Sequence, residues 1–132
     1  YVSLSTLDAA AGSGTERSFA QIGSSFLAPE YVQIRESAGE VRVNTHFDRL
    51  RSAALARALY GEQLEYARES EPQGAWSVLD RPGFDRLALM TGEDRSVLVA
   101  CRDRAVLYVY AVGIGALSAH LEDYAAILED FQ

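Results

Sequence analysis

The 132-residue chain has no lysine: its twelve basic residues are all arginine, set against nineteen Asp and Glu for a formal net charge of −7. Binding a polyanion needs clustered cations, and these arginines form no basic stripe, so neither nucleic acid nor an anionic membrane surface is an expected partner. Cysteine occurs once, at Cys101, which excludes an internal disulfide and leaves the redox compartment unmarked. No stretch approaches the roughly 18 consecutive apolar residues of a membrane-spanning helix, and no basic segment precedes an apolar one as in a secretory leader. The chain opens on Tyr1 rather than Met. A cleaved leader, lipoprotein anchor or other segment ahead of it is therefore expected, and with it an extracytoplasmic setting, periplasmic or membrane-anchored, with the cytoplasm as the alternative.

At 132 residues and 48% hydrophobic, the chain suits one domain with one core. Residues 1–18 form a candidate flexible segment in which "YVSLSTL" could make a first strand and "DAAAGSGTERS" reads as a loop. Phe19, Ile22 and Phe26 have helical spacing, which predicts a short helix over 19–27. "YVQIRESAGEVRVNTHF" reads as a hairpin turning at "ESAG", with Val41, Val43, Thr45 and Phe47 on one face. Asp48 is the expected N-cap of a helix from Arg51 to Ser70, with Leu50, Ala54, Leu55, Ala58 and Leu59 as its apolar stripe and "EPQG" as its stop. Gly61 should weaken or bend that helix.

Four strands separated by short turns follow: "AWSVLD", "FDRLALM", "SVLVAC" and "AVLYVYAV". Turns this tight join only antiparallel neighbours. A closing helix over Ala116–Phe131 carries Leu117, Leu121, Tyr124, Leu128 and Phe131 on one stripe, with Glu122, Asp123, Glu129 and Asp130 opposite. The order predicts an α+β domain: a single antiparallel sheet of about five to six strands with two main helices packed against it.

Three constellations invite chemistry, and each has a plainer reading. "VGIGALS" begins like a dinucleotide turn, yet position 118 is serine and no second parallel strand follows, so Gly113 and Gly115 are expected to shape a strand-to-helix turn. Asn44, His46 and Asp48 share one face of their strand, and His46-x-Asp48 with a distant His120 has the composition of a facial iron triad. The expected reading is a solvated sheet face with Asp48 capping the next helix. Cys101 lies beside Arg102 without a nearby histidine, as an inert strand cysteine would. Asp-Arg pairs recur at 48/49, 80/81, 85/86, 94/95 and 103/104, at strand ends where they keep sheet edges soluble. No catalytic residue, cofactor or metal is expected.

The segment "LYVYAVGIGALSAHLEDYAAILEDF" resembles the end of PsbP-like domains, found in exported lipoproteins and photosystem accessory proteins, whose closing helix often ends Ile-Leu-x-Ser-Phe. Ile127, Leu128 and Phe131 match, Asp130 stands in place of the serine, and the family's early Pro-x-x-Trp is absent, since Trp76 is late and four residues after Pro72. The resemblance implies an α/β/α sandwich and a non-catalytic domain that binds a protein partner or a membrane-complex subunit.

Two functions follow. The first is a non-enzymatic protein-binding or assembly domain whose surface includes Tyr108 and Tyr110. The second is a small-molecule-binding domain or minor enzyme with a pocket between the sheet and helix 51–70, lined by Asn44, His46 and Tyr66. A flat apolar patch around the two strand tyrosines favours the first, and a concave pocket favours the second.

Overall fold

The computed structural model describes residues 16–23 and 30–130. Strands β1 (Glu16–Gly23), β2 (Glu30–Ala38) and β3 (Val41–Arg49) lead into helix α1 (Ala53–Ser70). Strands β4 (Ala75–Leu79), β5 (Arg86–Thr91), β6 (Arg95–Arg102) and β7 (Ala105–Val112) follow, then a 3-10 turn (Ser118–His120) and helix α2 (Leu121–Asp130). All pairings are antiparallel, in the order β1-β2-β3-β7-β6-β5-β4. Two meanders, β1–β3 and β4–β7, are thus zipped together by β3 and β7, which places Asn44 opposite Tyr110 and His46 opposite Tyr108. The expected α+β class stands, with a helix on each face of one antiparallel sheet. No helix among the described residues is long and apolar enough to cross a membrane.

The strand pattern explains the layers. Side chains alternate across a pleated strand, so Val32, Ile34, Val43 and Phe47 join Leu98, Leu107 and Val109 in a core that includes Tyr124, Ile127 and Leu128 of α2. On the opposite face Ala88, Val97, Val99, Cys101 and Val106 form a second core with Ala56, Tyr60 and Ala67 of α1. Buried on both faces, β6 is an unbroken buried run from Ser96 to Cys101. Fully burying each such Val or Leu contributes roughly 1.5–3 kcal/mol.

Tight turns fix the register. Gly39, with φ +62°, and Glu40 connect β2 to β3 in the two-residue form that needs positive φ. Asp103 takes φ +51° between β6 and β7 and donates its N–H to the Asp85 carboxylate at 2.6 Å. Beyond β7, Gly113 has φ +87°, and a side chain there would meet Val41 at 3.1 Å. A side chain on Gly115 would stand 2.8 Å from the Gly92 carbonyl, whose own N–H donates to Gly115 at 3.2 Å. These glycines therefore let the chain lie against the β5–β6 turn as it leaves the sheet.

Several expectations need correction. The helix predicted over 19–27 is strand β1 as far as Gly23, and 24–29 lie outside the described residues. Pairing with β2 outweighs the local helical spacing, and with β1 counted the sheet has seven strands rather than five or six. Residues 16–18 of the candidate flexible segment open β1, while 1–15, including the possible first strand, lie outside the described residues.

Asp48 remains inside β3; Ser52 caps α1, its hydroxyl accepting from the Leu55 N–H at 3.2 Å. The inward stripe of α1 is Ala56, Tyr60 and Ala67, flanked by Leu59 and Leu64, whereas Ala54, Leu55 and Ala58 are exposed. The helix continues through Gly61 and ends before Pro72. The closing helix begins later than expected, at Leu121, and Phe131 lies outside the described residues.

Candidate functional site

Helix α1 packs chiefly on β6 and β7, with a smaller contact on β5, and leaves β2 and β3 to one side. The strand faces match that coverage: apolar beneath the helix at Val97, Val99 and Val106, polar beyond it at Gln33, Asn44 and His46. At the step between helix and bare sheet lies a pocket of about 530 Å³. Gln33 of β2, Asn44 and His46 of β3 and Tyr108 and Tyr110 of β7 are cross-strand neighbours that form its floor, and Gln63, Tyr66 and Ser70 form the helix wall. All five residues singled out from the sequence, Asn44, His46, Tyr66, Tyr108 and Tyr110, meet in this one concavity. The face expected to be solvated is open to solvent at Asn44 and also lines this pocket.

Glu71 closes the helical end of the pocket. Its N–H donates to the Ala67 carbonyl at 2.9 Å, and its own carbonyl accepts the Trp76 indole N–H at 3.2 Å. Its carboxylate accepts from the Tyr110 hydroxyl at 3.2 Å and from the Arg95 guanidinium at 3.3 Å. Arg95 in turn donates to the Tyr110 oxygen at 3.3 Å, closing a three-membered network. Arg68 stands over the Trp76 ring at 5.9 Å from its centroid, steadying the same corner.

Burial pushes the Tyr108 phenol up to about 12, and the negative fields of Tyr66, Tyr110 and Glu71 push the same way. Tyr110 is also raised, first by burial and then by its hydrogen bond to Glu71, with Arg95 opposing. Both phenols therefore keep their protons at neutral pH: Tyr108 presents an O–H donor as well as an acceptor to the pocket, whereas the Tyr110 proton is given to Glu71.

On the far side, His46 Nε2 lies 3.2 Å from the Asp48 carboxylate, which is largely buried. A carboxylate accepts only, so Nε2 carries the proton and Nδ1 is left as the second hydrogen-bonding atom of the ring. The Tyr31 ring stacks on the imidazole, 5.7 Å between centroids and 6° from parallel. The ring is thus oriented from two directions.

No family model, curated protein or solved structure matches this chain.

Other candidate chemistry is placed elsewhere. His120 ends the 3-10 turn before α2, on the face of the sheet opposite His46. Among the described residues no three His, Cys, Asp or Glu side chains are grouped as metal ligands. Cys101 is fully buried, and burial together with Asp85 pushes its thiol up to about 11, so it is protonated at neutral pH and no nucleophile. A second hollow of about 450 Å³ lies between the β4–β5 turn and α2, around Phe84, Leu121 and Ala125, with arginine and glutamate both on its flanks.

Sequence reasoning missed Gln33, Gln63, Ser70 and Glu71. Gln33 was visible by alternation, standing between the core residues Val32 and Ile34. Gln63, three residues after Tyr60 and four before Ala67, is found once the inward face of α1 is known. Glu71 leaves no local trace, because its partners lie 24 and 39 residues away.

Proposed function

We propose that the chain is a non-catalytic domain that binds a small molecule in the pocket between α1 and the β3–β7 half of the sheet. One observation carries this: residues from β2, β3, β7 and α1 converge on a single concavity of about 530 Å³. That size lies within the ~300–1,000 Å³ of small-molecule sites. Its polar groups are held in advance by the Glu71–Tyr110–Arg95 network and the Asp48–His46–Tyr31 stack. Preorganised donors cost little ordering on binding, which supports recognition.

A protein-docking face around Tyr108 and Tyr110 calls for a flat apolar patch, and here both tyrosines line a hollow rich in amides and hydroxyls. The resemblance of Ile127, Leu128 and Phe131 to the closing helix of PsbP-like domains is what supports proposing, in addition, that the domain belongs to an exported protein.

The test is a fragment screen followed by amide chemical shifts in the full chain. Hits should cluster at Asn44, His46, Tyr66 and Tyr108, and Tyr66→Ala should weaken them. Hits that scatter, or that gather on the outer face of α2, would overturn the pocket reading in favour of a docking surface.

A further inference from the structure

We infer that the pocket takes a neutral, hydroxyl-bearing ring of mono- to disaccharide size. This rests on the small-molecule reading above and adds the chemistry of the ligand. Charge decides the first part. Among the described residues Glu71 is the only Asp, Glu or Arg side chain lining the pocket, and its carboxylate is already engaged by Tyr110 and by Arg95 at the rim. An anion entering would face that carboxylate, and a cation would have to displace Arg95 to reach it. A buried charge without a partner is costly, so a neutral ligand is favoured over either sign.

Hydrogen-bonding capacity decides the second. Gln33, Asn44 and Gln63 offer amides, and Tyr66 and Tyr108 offer phenols, so the lining both donates and accepts. Hydroxyls on a ligand do the same, and a purely apolar molecule would strand these groups. Gln63 Oε1 is buried and accepts no hydrogen bond among the described residues, which marks one place for a ligand donor.

Shape decides the third. These groups come from a sheet floor made by the neighbouring strands β2, β3 and β7 and from the α1 wall that rises beside it, so they address the ligand from two directions rather than along one edge. Hydroxyls radiating from a puckered ring meet such a lining, whereas a nucleobase presents its polar groups in a single plane. Tyr66, 66% exposed among the pocket residues of the helix wall, supplies an aromatic plane for the C–H face of the ring.

The experiment compares one ring in three charge states. Amide spectra of the full chain are titrated with glucose, galactose, N-acetylglucosamine, maltose, lactose and trehalose, then with glucosamine, glucose 6-phosphate, choline and adenosine. At least one neutral sugar should give saturable shifts at Asn44, Gln63, Tyr66 and Tyr108, and glucosamine and glucose 6-phosphate should not bind more tightly than the neutral sugars. Gln63→Leu and Tyr66→Ala should each weaken binding about tenfold, the ratio that one lost hydrogen bond or ring contact sets. Saturable binding of choline, adenosine or glucose 6-phosphate at these residues while the neutral sugars stay silent would overturn the ligand class and leave the pocket reading intact. Silence of every probe at the pocket residues would overturn both.

Discussion

The two halves of the sheet face that carries α1 are built to opposite rules. On β5, β6 and the start of β7 it presents Ala88, Val97, Val99, Cys101 and Val106 to the helix and is dry. On β2 and β3 the same face presents Gln33, Asn44 and His46 to a cavity. Tyr108 and Tyr110 mark the border, each packed against the apolar core yet lining the pocket. An amphipathic side chain is the natural border residue, since its ring serves the core while its hydroxyl serves the cavity. Where the helix stops covering the sheet, the strands change composition, and the pocket lies on that line.

The largest effect should come from writing the rule of one half into the other. Val99→Asp places a carboxylate under α1, where it has no solvent, and is expected to abolish the cooperative melt. Asn44→Asp, across the border, should keep the fold and its melting transition. If both variants unfold, or neither does, the two halves do not differ as described.

Tyr60→Ala removes the aromatic anchor that seats α1 and should cost about 3–5 kcal/mol by analogy with other large aromatic truncations, read from denaturant melts. The same variant should loosen the helix wall of the pocket and weaken any ligand. Gly113→Val, where the border strand leaves the sheet, forces a β-branched residue to φ +87° and should cost roughly 1–3 kcal/mol.

A subtler contrast appears in alkali. Cys101 and Tyr108 have folded pKa values raised to about 11 and about 12, from 9.0 and 10.0. Above the lower values the unfolded chain sheds protons that the folded chain retains, so stability should be intact below about pH 9 and decline progressively towards pH 12. Tyr108→Phe should remove the part of that decline between pH 10 and 12, and an unchanged profile would show that the border phenol is not desolvated. The smallest expected effect is that of Tyr110→Phe, about 0.5–1.5 kcal/mol for one hydroxyl whose partners remain partly solvated.

The faces of the strands were legible from alternation alone, which is why Asn44, His46, Tyr108 and Tyr110 could be assigned before their neighbours were known. Helix α1 was legible in extent but not in orientation. Alanines at 53, 54, 56, 58 and 67 give little hydrophobic contrast around the axis, and only packing shows that Ala56 and Ala67 are the ones that allow close approach. Its start was ambiguous because Asp48 and Ser52 are both good capping residues, and strand pairing claimed the first. β1 was misread because Phe19, Ile22 and Phe26 mimic a helical stripe, and what decides between helix and strand there is the edge of β2. The pocket as a hollow, and Glu71 within it, depend on which strands a helix covers. That is a property of the assembled layers rather than of any segment.

The pairing of β3 with β7 also sets an order of events. Each meander pairs strands close in the chain, but Phe47 must find Leu107 across the whole of α1 and three strands, which makes this the ladder with the greatest loop-closure cost. The pocket straddles that ladder, so a chain with both meanders formed and the seam still open has its phenols and amides but no binding site. Under the proposed function, a ligand in the pocket would act as a clasp on the seam: it should slow unfolding most where the two meanders part, and the ability to bind should be among the last properties recovered on refolding.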